Sequence, residues 1–344
     1  MFKYAKKLIC ICINLVLLFS INSAMAAEVS GNITVSGEQL KVIYNQGTHL
    51  EGPAAALDGK LYFCDLTPSG SSKGTVYGGH ILQYDPATGN TIVFRSPSGQ
   101  ADGLSFDLKG RLLAAESADN GGRRITATDM ATGQASILVN RVNGHPFNSP
   151  NDLTIDAKGR IYFTDPRYFG SESMEQPVQG VYRIDSDGTV KLIIANAGKP
   201  NGIAISPDQK TLYVGSNDNG LFDQTTATSG LEARRGLDGI LAYDLKEDGT
   251  VKLRKMIVQE PDFRPDGMRT DSNGNIFVAN FSLKRPGILV FSPNGTELGI
   301  IPTPELVTNC EFGTGKDSNV LYITGLKSLY KITTTHYGCK KFHE

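Results

Sequence analysis

Six side chains, set about 50 residues apart along this chain, carry an oxygen that could bind a cation or move a proton. They are Glu51, Asp102, Asn151, Asn201, Asp266 and Asn309. Carboxylates and amide carbonyls without thiolate or imidazole suit a hard cation, and they argue against zinc or copper. Calcium fits better than magnesium, because it accepts irregular oxygen cages; another divalent cation is the alternative. Two plainer readings stand beside this one. Asn-Gly and Asp-Gly are common turn dipeptides, and a polar channel can simply be hydrated. Against the first, each repeat has its own turn a few residues later, as at Asp156-Ala-Lys-Gly159. Cys310, next to Asn309, reads as buried filler rather than as a ligand.

These positions converge only if the chain folds as a ring of repeats, and the sequence has that repeat. Six segments align: Glu51 to Asp65, Asp102 to Glu116, Asn151 to Asp165, Asn201 to Ser216, Asp266 to Asn280 and Asn309 to Gly325. Each reads as an inner strand, a turn such as Asp107-Leu-Lys-Gly110, and a second strand of aliphatic and aromatic residues. A third strand follows in every repeat, from His80–Asp85 in the first to Ser328–Ile332 in the last. A fourth follows in five, from Thr91–Arg95 to Glu297–Ile301, and the sixth repeat lacks one. Gln39–Tyr44, just before the first repeat, has the character of that missing strand. The reading is therefore all-β: a six-bladed β-propeller with four antiparallel strands per blade, closed by the N-terminal strand pairing with the last blade. A polar insertion from Asn217 to Gly230 is expected to form a loop on one face.

Residues 1–26 read as a signal peptide, with 27–344 as a single propeller domain. Lys3, Lys6 and Lys7 precede the apolar run from Leu8 to Phe19, and Ala24-Met25-Ala26 offers small residues for cleavage. Export to the periplasm or the medium is expected, with no membrane attachment after cleavage. Losing three lysines takes the formal charge from −1 to about −4, which leaves no basic surface for nucleic acid. Cys64, Cys310 and Cys339 would remain, an odd number, so the chain is no disulfide scaffold; Cys64 and Cys310 are one possible pair across blades one and six.

From Glu38 to Ile332 the chain resembles the family of gluconolactonases, regucalcin (senescence marker protein) and Drp35-like lactonases. The resemblance rests on Leu50-Glu-Gly-Pro53, Ser149-Pro-Asn-Asp-Leu153, Tyr162-Phe-Thr-Asp-Pro166, Pro200-Asn-Gly-Ile203, Arg264-Pro-Asp-Gly-Met268 and Thr308-Asn-Cys-Glu-Phe-Gly313. It implies a calcium ion held by Glu51, Asn151, Asn201 and Asp266. It also implies hydrolysis of a lactone whose carbonyl the ion polarises while water attacks. Asp266 is then the first candidate for the water's proton, with Glu51 and Asp102 behind it. The substrate-facing positions are Ser149, Asp102, Asn151 and Tyr168. Regucalcin-type members carry an arginine where this chain has Ser149, which loosens the link to gluconolactone. Arg123, Arg124, Arg167, Tyr168 and Phe169 are placed to rebuild a substrate wall, or to be ordinary loop residues. His49 and His145 read as exposed polar surface.

Two other functions fit the same residues. One is hydrolysis of an organophosphate or another ester at the same ion. The other is a non-catalytic propeller that binds its partner with calcium as a structural element. The oligomeric state is not legible.

Overall fold

Blade interfaces, rather than a single central core, hold this protein together. The computed structural model describes residues 32–67, 78–218 and 238–339. The segment read as a signal peptide and most of the polar insertion after Asn217 lie outside them. The described chain forms six four-stranded antiparallel sheets, with one short additional hairpin and one 3₁₀ turn at Gly315–Asp317. Blade one runs outward through Leu50–Ala55, Leu61–Asp65, His80–Asp85 and Asn90–Arg95. Blades two to five repeat this order.

Blade six takes three strands from the C-terminal end, and its fourth is Lys41–Tyr44. That strand pairs antiparallel with Leu329–Thr333, Lys41 opposite Lys331 and Val42 opposite Tyr330. Inner strands touch inner strands all the way round, the last against the first, so the ring has no open edge between its ends. Thr34 and Thr334 form a further bridge at this seam.

Six apolar clusters lie between the blades, one at each interface. The second strands supply most of the bulk, with Phe63, Phe163, Tyr213, Phe277 and Tyr322 all buried. Their aliphatic and aromatic runs are what a strand buried on both faces requires. Cys64 packs between blades one and two, whereas Cys310 packs between blades five and six. Both thiols are free, and they face different interfaces, so the pairing considered from the sequence does not form.

The inner strands crowd the axis. In blades one, two, four, five and six the register with the second strand slips just where the oxygen-bearing residue sits. Such bulges re-aim a side chain out of the pleat. Gly52, Gly103, Gly202 and Gly267 follow Glu51, Asp102, Asn201 and Asp266, and each abuts the neighbouring inner strand. A Cβ on Gly202 would stand 2.2 Å from the Asp266 carbonyl oxygen, and one on Gly267 would stand 1.9 Å from the Asn309 side chain. The Xaa-Gly pairs are therefore not hairpin turns. They are strand positions where the next blade comes too close for any side chain.

Gly202→Ala is accordingly expected to lower stability by about 3 kcal/mol, the upper range for overpacking a site that cannot relax. Urea unfolding measures it, and a change within about 0.5 kcal/mol, as at an ordinary surface site, would show that the axis is looser than this.

Candidate active site

The bulged residues meet at one mouth of the channel. Glu51, Asp102, Asn151, Asn201, Asp266 and Asn309 are all buried. Asn151 donates its amide to Asp102 Oδ2 at 2.8 Å, and Ser117 Oγ reaches the same oxygen at 3.4 Å while holding the Pro150 carbonyl at 2.6 Å. The Asn201 amide serves Asp266 and Tyr168, and the Asn309 amide serves Glu51. Glu51 Oε2 also accepts from the Gly52 N–H at 3.0 Å. Asn309 sits one residue lower than its five counterparts. Counted back from the hairpin, the matching position in blade six is Thr308, whose hydroxyl donates to the Leu50 carbonyl at 2.6 Å.

Second-strand ends position the loops that feed this ring. Asp65 Oδ1 accepts the backbone N–H groups of Thr48 and His49. Asp165 does the same for Asn148 and Ser149, and Asn280 Oδ1 accepts from Arg264. The acid or amide that closes the second strand thus caps the approach to the first.

The mouth is walled by Leu66, Gln100, Ser117, Ser149, Tyr168 and Phe169. Ser149 Oγ accepts the Ala118 N–H at 2.9 Å. The Tyr168 hydroxyl reaches the carbonyls of Asn217 and Lys199, and Lys199 Nζ lies 4.5 Å above the Tyr168 ring. Lys199 is almost wholly buried; sequence reasoning passed over it because a lone lysine before Pro200 carries no signal. His49 is not exposed surface: it packs on Phe169 and its Nε2 lies 3.9 Å from Glu51 Oε1, while burial pushes its pKa down to about 4. His145 is exposed, as expected.

The arginines do not build the wall. Arg167 is buried and donates to the carbonyls of Asn148 and Glu172. Arg123 holds the carbonyls of Phe147 and Ser173, and Arg124 pairs with the buried Glu116. They brace the loops from behind.

Burial and mutual repulsion act on the carboxylates of the ring. Burial drives Glu51 up to about 8, with the Asp152 charge adding to it against the Gly52 N–H. Asp102 and Asp266 are pushed well above the usual carboxylate range, by burial first and then by the charge of Glu51. Asp102 Oδ1 is buried with no hydrogen-bond partner. Among the described residues no three His, Cys, Asp or Glu side chains gather as a cluster; this donor set mixes carboxylates with amides. Two carboxylates, Glu51 and Asp266, with the amides of Asn151 and Asn201, are a donor set that would suit a hard divalent ion.

Comparison with known proteins bears on the family and the fold. Residues 51–327 match the model of the SMP-30/gluconolactonase/LRE-like region. The chain belongs to this family. It is 32% identical to the gluconolactonase of Zymomonas mobilis, over 91% of this chain and 89% of that one. It is 30% identical to the lactonase drp35 of Staphylococcus epidermidis, over 79% of this chain and 74% of that one. Among solved structures, the gluconolactonase XC5397 of Xanthomonas campestris superposes with a TM-score of 0.73 at 29% identity, covering 89% of this chain and 94% of the other. The calcium-binding regucalcin of Agrobacterium tumefaciens, at 16% identity and a TM-score of 0.66 over 88% and 95%, shares the fold.

One pH dependence follows from these carboxylates. The cation-free fold holds a proton on Glu51 that the unfolded chain releases near 4.5. A raised acid stabilises the fold below the unfolded value, and that stability drains away as pH rises. Chelated protein should therefore lose stability between pH 4.5 and about 8, and added calcium should restore it. Thermal melts across that range, with calcium and with chelator, measure this; a cation-free melting temperature that does not fall with pH would contradict it.

Proposed function

We propose that this protein hydrolyses lactones with a divalent cation, calcium by preference, held by Glu51, Asn151, Asn201 and Asp266. The observation that carries this reading is the ring itself: three buried carboxylates that repel one another, one of them with an unpartnered oxygen. The family membership supports the reaction class, since relatives that match along most of the chain are gluconolactonases and lactonases.

A bound calcium supplies Lewis-acid polarisation of the substrate carbonyl and charge for the oxyanion. The side chains do the rest. Asp102 has one oxygen tied to Asn151 and Ser117 and the other unpartnered, so it has a lone pair available for a water proton. Asp266 is engaged by Asn201 and by the Gly267 N–H, which suits a ligand more than a base. This moves the proton-accepting role from Asp266, the first expectation, to Asp102. Tyr168, Phe169 and Ser149 form one side of the mouth, where a ring-shaped substrate would lie against the Tyr168 edge. The acyl carbonyl must face inward, because only there do oxygen ligands converge.

A panel of sugar, aliphatic and aromatic lactones, assayed with calcium and with chelator, tests this. Asp102→Asn should lower kcat about a hundredfold while calcium still binds; Asp266→Asn should lose calcium binding and activity together. Activity indifferent to chelation would sink the metal assignment. Calcium-dependent stabilisation without turnover of any lactone would leave a binding propeller instead.

A further inference from the structure

Directly beneath the ring, the channel is crossed by one part-buried guanidinium. Arg269 of blade five donates Nη1 to Asp152 Oδ2 of blade three at 3.2 Å and Nε to Glu311 Oε2 of blade six at 3.3 Å. Its Nη1 also holds the Met268 carbonyl at 2.7 Å. Asp152 accepts in turn from the backbone of Leu153 and of Ile203 in blade four. Four blades, two of them opposite each other across the axis, are joined through this one side chain.

The repeat makes room for it. In the register of the inner hairpins, Arg269 shares its row with Ala54, Ser105, Thr154, Ala204 and Glu311. Four of those five are small, so the long side chain can lie across the axis. Asp152 stands where blades one, two, four and five carry glycine, and it follows the ring residue Asn151 directly. Below the guanidinium the channel widens into a cavity of about 780 Å³ walled by Phe106, Ile155, Ile205 and Phe312. Polar ring and apolar funnel meet at Arg269.

Stability alone does not require this arrangement. Buried charge clusters are often matched or bettered by apolar residues of similar size. Here the cost is higher still, because Arg269 Nη2 is buried with no hydrogen-bond partner. What a guanidinium offers that a methionine does not is a planar fork that fixes the separation of the groups it touches. The groups it touches belong to residues one and two positions beyond Asn151 and Asn309, and its own backbone lies three beyond Asp266.

We propose that Arg269 is a positioning residue, a brace across the channel that fixes the width of the ring and thereby its preference for calcium over a smaller divalent ion. This rests on the cation reading above. Calcium takes oxygens at about 2.3–2.6 Å in irregular cages, whereas magnesium demands about 2.0–2.1 Å and an octahedron. A ring held open by a rigid strut meets the first requirement and resists contraction to the second. Without the strut, the inner strands of blades three, five and six can close on a smaller ion.

The test is the ratio of calcium to magnesium affinity, measured by isothermal calorimetry on the whole chain. The charge of Arg269 acts alike on two divalent ions, so its Coulomb effect cancels in the ratio and geometry remains. Arg269→Met should lower the ratio about tenfold, in the range typical of residues that orient ligands from behind. Arg269→Lys should lower it too, because it keeps the charge and loses the fork. Glu311→Gln, which preserves size and loosens one end, should lower it by less than Arg269→Met does and serves where the arginine variants fold poorly. A fall in melting temperature with the ratio unchanged would overturn the brace and leave a structural residue, as would a lysine variant that discriminates like the wild type. A wild-type chain that binds neither ion would overturn the cation reading and the brace together; one that prefers calcium while all three variants do the same would overturn the brace alone.

Discussion

Everything at the site follows from the crowding of six inner strands around one axis. Stacked sheets normally stand about 10 Å apart, but here the inner strands approach so closely that at four of the six positions only hydrogen fits. Gly52 and Gly202 lie against the carbonyls of Asp102 and Asp266. That contact forces the local bulge, and the bulge turns the preceding side chain toward the axis. The apolar clusters between blades supply the pressure that keeps the strands in place. Closure by Lys41–Tyr44 keeps the ring from relaxing outward.

Crowding also brings like charges together. Glu51, Asp102 and Asp266 are all buried, and burial raises all three. Amides from Asn151, Asn201 and Asn309 relieve part of the repulsion by donating to the carboxylates. A divalent cation would relieve the rest, and amides that donate through nitrogen keep their oxygens available as ligands. Arg269 acts from below on Asp152 and Glu311, so the negative charge on that level is already matched in part. The carboxylates of the ring above accept hydrogen bonds from a backbone N–H, a hydroxyl and an amide, none of them cationic.

Much of this was legible in the sequence, because a repeat reports on itself six times. The orphan strand before Glu51 identified the closure, and the oxygen at each repeat start identified the ring. The register of blade six was not legible: Thr308, not Asn309, occupies the common row, since that segment is one residue short before its hairpin. The pairing of Cys64 with Cys310 was excluded only by which interface each strand face meets. Arg123 and Arg167 could not be told from substrate contacts, because their carbonyl partners come from loops distant in sequence. His49 was read as exposed because nothing local predicts Phe169 across the mouth. Arg269 was invisible for a different reason. Alignment rewards what repeats share, and the brace works by departing from them.

The proposed function requires that this ring hold one divalent cation. Metal content of the purified chain after dialysis against calcium, by mass spectrometry, tests it most directly. About one calcium per chain is expected, lost when Glu51→Gln and Asp266→Asn are combined while the fold persists, because the site then loses both its carboxylate ligands. A chain that retains no calcium, or a double variant that retains it unchanged, would contradict it.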